Sequence, residues 1–111
     1  MAHFGLNNLD IQNIFEKNVT VSSGPIKCLT QSNDNGVKFV VAVSKQIKSK
    51  AKKNLIKRQI RSLVLVNERK WQKWKLVFMI RKNYFEYNYQ QIQNHLQQNW
   101  QTLSQKTLFS R

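Results

Sequence analysis

Lys45, Lys48, Lys50, Lys52, Lys53, Lys57, Arg58 and Arg61 place eight cations within seventeen residues that contain no Asp or Glu. Set at about 100° per residue, Ile56, Ile60, Leu63 and Val64 share one arc of a helix. Lys50, Lys53, Asn54, Lys57, Arg58 and Arg61 occupy the adjoining arc. The apolar arc needs a core and the basic arc stays in solvent, with Lys45 adding a charge just ahead of it. Like charges this close repel at the Debye length of ordinary salt, about 8 to 10 Å, and so weaken the free protein. Phosphates reverse the balance, because each one neutralised releases condensed counterions. The chemistry these residues suit is the binding of a polyanion.

Bond-making chemistry has no comparable constellation. The five acids, Asp10, Glu16, Asp34, Glu68 and Glu86, are scattered, without the pairing that holds two magnesium ions. His3 and His95 stand 92 positions apart and Cys28 is the lone cysteine, which leaves no zinc pattern and no internal disulfide. No catalytic residue, no metal site and no cofactor bound by the protein alone are therefore expected. Cys28, within Ile26-Lys27-Cys28-Leu29, reads as a buried inert thiol on a strand, and His95 as an ordinary helix residue. Trp71, Trp74 and Trp100 sit at element junctions among apolar neighbours and are expected to pack.

The whole chain fits a charged face on a folded body. Its 111 residues (13.2 kDa) carry a net charge of +14 and a pI near 10.4, which points to nucleic acid or another anionic partner. Residues 38–82 hold fifteen of the nineteen basic side chains against Glu68 alone. At 41% hydrophobic residues, with twelve aromatics, the chain is too apolar for a disordered basic tail. Length and the lack of a linker or repeat imply one domain, residues 1–111. No apolar run approaches the roughly 20 residues of a membrane span, and the N-terminus lacks a signal-peptide pattern. No membrane partner and a cytoplasmic location are expected.

The elements that must position the basic arc follow from periodicity. Leu9, Ile11, Ile14 and Phe15 predict a first helix, with Asn8 as its cap. Short strands are expected at residues 19–23 and 26–30, separated by Gly24-Pro25, and at 37–43 after an Asn35-Gly36 turn. A helical period then runs from Ser44 to about Arg69 without Gly or Pro. Trp74–Ile80 reads as a further strand, and a last helix from about Asn88 uses Tyr89, Ile92, His95, Leu96, Trp100 and Leu103. The order α-β-β-β-α-β-α, with a βαβ unit in a mixed sheet, predicts an α/β (α+β) two-layer sandwich.

The stretch Val43-Ser44-Lys45, followed by Lys53-Asn54-Leu55-Ile56-Lys57-Arg58 and Arg61, resembles the signature of the bacterial ribonuclease P protein subunit. There a Val-Ser-Lys strand end leads through a short loop into a helix bearing Arg-Asn-Arg-Ile-Lys-Arg-x-x-Arg. Val43, Ser44, Lys45, Asn54, Ile56, Lys57, Arg58 and Arg61 match. Lys53 and Leu55 replace two arginines, and Lys48 stands where many members carry glycine. The resemblance extends more weakly over the first helix, Arg81-Lys82 and the last helix.

The resemblance implies binding to a catalytic RNA subunit through Lys45, Lys50, Lys53, Asn54, Lys57, Arg58 and Arg61. It also implies a cleft between the first helix and the sheet for the single-stranded 5′ leader of precursor tRNA, at Phe15, Ile11, Lys27 and Leu29. Ile11 and Leu29 stand where other members carry Phe and Tyr, so stacking there is expected to be weaker. Cleavage would be carried out by Mg2+ held through the RNA subunit, one protein per RNA, and the βαβ crossover would be left-handed. A structural rRNA-binding protein of the ribosome would share the charge and build but ignore the leader. A self-sufficient metal-dependent nuclease is disfavoured by the acids.

Overall fold

A computed structural model describes residues 2–4, 6, 8–16, 19–32, 38–71 and 74–109. The chain runs β1 (Ala2–Phe4), α1 (Asn8–Glu16), β2 (Val19–Ser23), β3 (Ile26–Ser32), β4 (Lys38–Val43), α2 (Lys50–Val66), α3 (Glu68–Trp71), β5 (Trp74–Ile80), a 3-10 turn (Tyr84–Glu86) and α4 (Tyr89–Phe109). The expected order α-β-β-β-α-β-α is present. Strand β1, the single turn α3 and the 3-10 turn are additions to it.

The five strands form one mixed sheet in the order β1-β4-β5-β3-β2, in which β4 and β5 are parallel and the other pairs antiparallel. Side chains alternate across it. Ile26, Cys28, Phe39, Val41, Leu76, Phe78 and Ile80 join the larger core beneath α2 and α4, where Trp71 meets Phe78 edge-on at 5.8 Å. Leu29, Val40 and Val77 face the other way and meet Ile11 and Ile14 of α1. The sandwich is thus the sheet under α2 and α4, and α1 lies on the opposite face.

Local chemistry sets the ends of α2. The Ser49 side chain accepts from the Lys52 N–H, so the helix begins at Lys50 and not directly after Ser44. Residues 44–49 instead turn, held by Ser44 N–H to Ile80 O (2.9 Å) and Ile47 N–H to Ser44 O (3.1 Å). At the far end Asn67 donates from both its backbone and its Nδ2 to Leu63 O, which separates α2 from α3. Asn8 is the first residue of α1 rather than a flanking cap, and Leu9 and Phe15 lie outside the buried stripe of that helix. The expected Asn-Gly turn and Val37 fall outside the described residues. Among the described residues, no helix is long and apolar enough to cross a membrane.

Candidate nucleic-acid interface

Helix α2 buries Ile56, Ile60, Leu63 and Val64, the stripe expected from its period. That orientation leaves Lys50, Asn54, Arg58 and Arg61 exposed, with Lys53 and Lys57 half-buried along the stripe's edge. Lysine stems can lie on apolar surface there while their ammonium groups meet water. The helix contains no Asp or Glu. Lys45 is exposed in the turn ahead of it, and Leu55 is half-buried. Arginine forks at Arg58 and Arg61 suit phosphate oxygens as charge-assisted donors.

The opposite face of the sheet is organised in rows set by strand register. Gln31, Lys75 and Lys38 form one row, Leu29, Val77 and Val40 the next, and Lys27, Met79 and Ala42 the third. Helix α1 covers the first two: Lys75 Nζ lies 3.0 Å from Asp10 Oδ1, and Ile11 and Ile14 pack on Leu29, Val40 and Val77. The third row floors a groove of about 600 Å³ whose rim includes Ser44, Lys45, Gln46, Arg81 and Lys82. Its charged lining residues, Lys27, Lys45, Arg81 and Lys82, are all cations.

Arg81 is held in place by the β2–β3 turn. Its guanidinium donates to Gly24 O and Ser22 Oγ, both at 3.0 Å, and its backbone N–H donates to Pro25 O at 2.8 Å. The turn needs glycine, because Gly24 has φ +55° and a Cβ there would lie 2.7 Å from the His95 ring. His95 is more than the ordinary helix residue expected: its Nδ1 lies 2.7 Å from Ser23 Oγ, which donates to Gln98 Oε1 at 2.6 Å, and its ring meets Tyr87 edge-on. Helix α4 is thereby fastened to the strand pair that carries Lys27.

The ribonuclease P family model matches residues 6–104, nearly the whole length over which these surfaces are built. The chain belongs to the ribonuclease P protein family. The structure of the Staphylococcus aureus RNase P protein superposes with a TM-score of 0.80 at 24% identity, covering 93% of this chain and 96% of that one. The Thermotoga maritima RNase P protein superposes with a TM-score of 0.72 at 16% identity, over 80% and 86% of the two chains. A structure of that protein in complex with 1-(4-fluorophenyl)-2-thiourea gives 0.73, also at 16% identity, over 80% and 89%. At these identities the likeness is one of fold. No curated protein sequence matches the chain.

Membership of the ribonuclease P family implies RNA binding, tRNA processing and a place in an endoribonuclease complex with the ribonuclease P RNA. Within this family member, the residues expected on the helix, Lys50, Lys53, Asn54, Lys57, Arg58 and Arg61, lie on α2 beside its buried stripe, and Lys45 stands at the groove rim. The four residues expected in a leader cleft divide. Lys27 lines the groove and Phe15 is 52% exposed on α1, whereas Ile11 and Leu29 are buried between α1 and the sheet. Those two therefore fasten α1 and offer little surface to a ligand. Ala42, Gln46, Met79, Arg81 and Lys82 line the groove without having been expected there. Arg81-Lys82 at a strand end was the available signal. The rest depends on which strands become neighbours.

Cys28 is fully buried, and burial pushes its thiol far above the usual range, as an inert core residue requires.

Proposed function

We propose that this chain is the protein subunit of a ribonuclease P. In this reading it binds the catalytic RNA through α2 and the 5′ leader of precursor tRNA through the groove beside α1. The supporting observation is that one sheet separates two cationic surfaces. The arc of α2 lies over one face, the groove opens on the other, and Lys45, in the turn that leads into α2, stands at the groove rim. A body of this kind can hold one RNA while aligning a strand of another.

Each residue then has a binding task. Lys50, Lys53, Lys57, Arg58 and Arg61 neutralise phosphates of the folded RNA, and Asn54 donates and accepts at sugar or base edges. Phe15 offers a half-exposed ring for a leader base, while Lys27, Lys45, Arg81 and Lys82 follow the leader backbone. Met79 and Ala42 supply an apolar floor without sequence preference. Cleavage uses magnesium held by the RNA subunit, one protein serves one RNA, and the complex works in the cytoplasm. By screening phosphate repulsion between RNA and substrate, the protein lowers the magnesium needed.

The test is reconstitution of the chain with a bacterial ribonuclease P RNA and assay of precursor tRNA cleavage at low magnesium. Cleavage at the mature 5′ end, weak or absent with RNA alone, is the expected result. Failure to stimulate, together with preferential binding to rRNA and indifference to the leader, would assign the chain to a structural ribosomal role. RNA cleavage by the purified chain alone would make it a nuclease in its own right.

A further inference from the structure

The 3-10 turn after β5 sets two neighbouring aromatics to different tasks. Tyr84 is buried and its OH donates to Gln59 Oε1 of α2 at 2.7 Å, which fastens the turn to the basic helix. Phe85 is 43% exposed and stands edge-on to Tyr84, with centroids 5.3 Å apart and planes at 83°. Lys52 Nζ lies over the Phe85 ring, 5.6 Å from its centroid. The turn is closed by Tyr84 N–H to Arg81 O, Glu86 N–H to Asn83 O and Tyr87 N–H to Tyr84 O. Tyr89 exposes a further aromatic surface at the start of α4. Lys52, itself exposed, thus brings a cation onto a partly exposed ring.

We propose that Phe85, backed by Lys52, is a stacking platform for an unpaired base of the RNA that α2 binds. This rests on the reading of α2 as an RNA-binding helix and extends it. On a helical wheel Lys52 falls on the flank of the buried stripe away from Lys57 and Arg61, so the interface wraps around the first turns of α2 and reaches the 3-10 turn. A nucleotide matches both groups, because its base offers a π face to the ring and its phosphate an anion to the ammonium. Lys52 is long and exposed, so it can pass from ring to phosphate without disturbing the fold. The ring is already oriented by Tyr84 and Gln59, so little side-chain freedom is lost on binding. A base inside a duplex has both faces stacked on its neighbours, so the partner is a bulged, looped or single-stranded nucleotide. Stacking of this kind tolerates any base.

The experiment compares Phe85→Ala, Phe85→Leu and Phe85→Tyr with the parent chain for affinity to ribonuclease P RNA, with thermal melts of each protein. Phe85→Ala and Phe85→Leu should bind about fivefold or more weakly, the low end for removing one stack, with the salt dependence retained, while Phe85→Tyr binds as the parent does. If Phe85→Ala melts early, the contrast between Phe85→Leu and Phe85→Tyr decides. Parent-like affinity for Phe85→Leu would overturn the platform. A combined Arg58→Ala and Arg61→Ala variant separates the two ideas. Loss there with none at Phe85 leaves the α2 reading standing and removes the platform, and no loss in any variant removes both.

Discussion

Lys75 Nζ reaches Asp10 Oδ1 at 3.0 Å across the gap between β5 and α1, with both side chains about four-fifths buried. The pair holds the first turn of α1 over the row beside the one that Ile11 and Ile14 cover, and so leaves the Lys27–Met79–Ala42 row open. An ion pair at this depth lies between exposed pairs, which contribute little, and buried ones, which are costly to break. Asp10→Asn should lower stability by about 1 to 2 kcal/mol, read as a shift of the urea midpoint. A double-mutant cycle with Lys75→Met that finds no coupling would show that the ion pair has no part in holding α1.

Arg58 and Arg61 leave α2 on its solvent side, so replacing both with alanine should weaken RNA binding without unfolding the protein. The slope of log K against log salt should fall by about 0.9 for each duplex-like phosphate that the variant no longer neutralises. Affinity measured across a salt series checks this, and an unchanged slope in a folded variant would take the two residues out of the interface.

Ile60 acts through stability. It is fully buried between α2 and the sheet, and Ile60→Ala removes methylenes and leaves a partial cavity, at a cost of about 2 to 5 kcal/mol. A denaturation midpoint equal to the parent's would mean the helix is rotated and its basic arc faces elsewhere.

If the leader lies against α1 as proposed, Phe15→Ala should weaken binding of precursor tRNA more than that of mature tRNA in the reconstituted complex, since only the precursor carries a leader. One stack contributes about 1 to 3 kcal/mol, and the low end is expected because Ile11 and Leu29 add no aromatic surface. The ratio of the two affinities is the quantity to measure. Equal losses, with an intact melt, would remove Phe15 from the leader path.

Gly24→Ala places a methyl group 2.7 Å from the His95 ring in a backbone of φ +55°. The left-handed conformation alone costs about 1 to 2 kcal/mol, and displacing the ring also breaks its hydrogen bond with Ser23. A thermal melt should fall accordingly. In a His95→Ala background the penalty of Gly24→Ala should shrink to the conformational part, and a penalty of unchanged size would show that the ring yields freely.

Much of the helical surface was legible in the chain itself. The buried stripe of α2 and its basic arc belong to one continuous element, where 3.6-residue periodicity relates neighbours to one another without help from the rest of the fold. The same holds for β5, whose bounds and alternation are local, and for the net charge that sets the class of partner. The start of α2 was legible less well, because Ser49 and Ser44 are both able to end a strand or cap a helix, and the hydrogen bond from Ser44 N–H to Ile80 O, across the β4–β5 pair, selects between them.

The groove could not be read this way. Lys27, Ala42 and Met79 become one row only through the register of β3 and β4 on β5, and a slip of one residue would turn each to the other face. Which face α1 covers, and so whether Ile11 and Leu29 line a cleft or pack beneath a helix, depends on the same pairing and on the Asp10–Lys75 ion pair across 65 residues. Phe85 likewise reads as one more apolar residue until the turn of Tyr84 into the core leaves its neighbour outside. Periodicity orders side chains along an element, but the surfaces that lie between elements are set by interactions distant in sequence, and those only the tertiary structure decided.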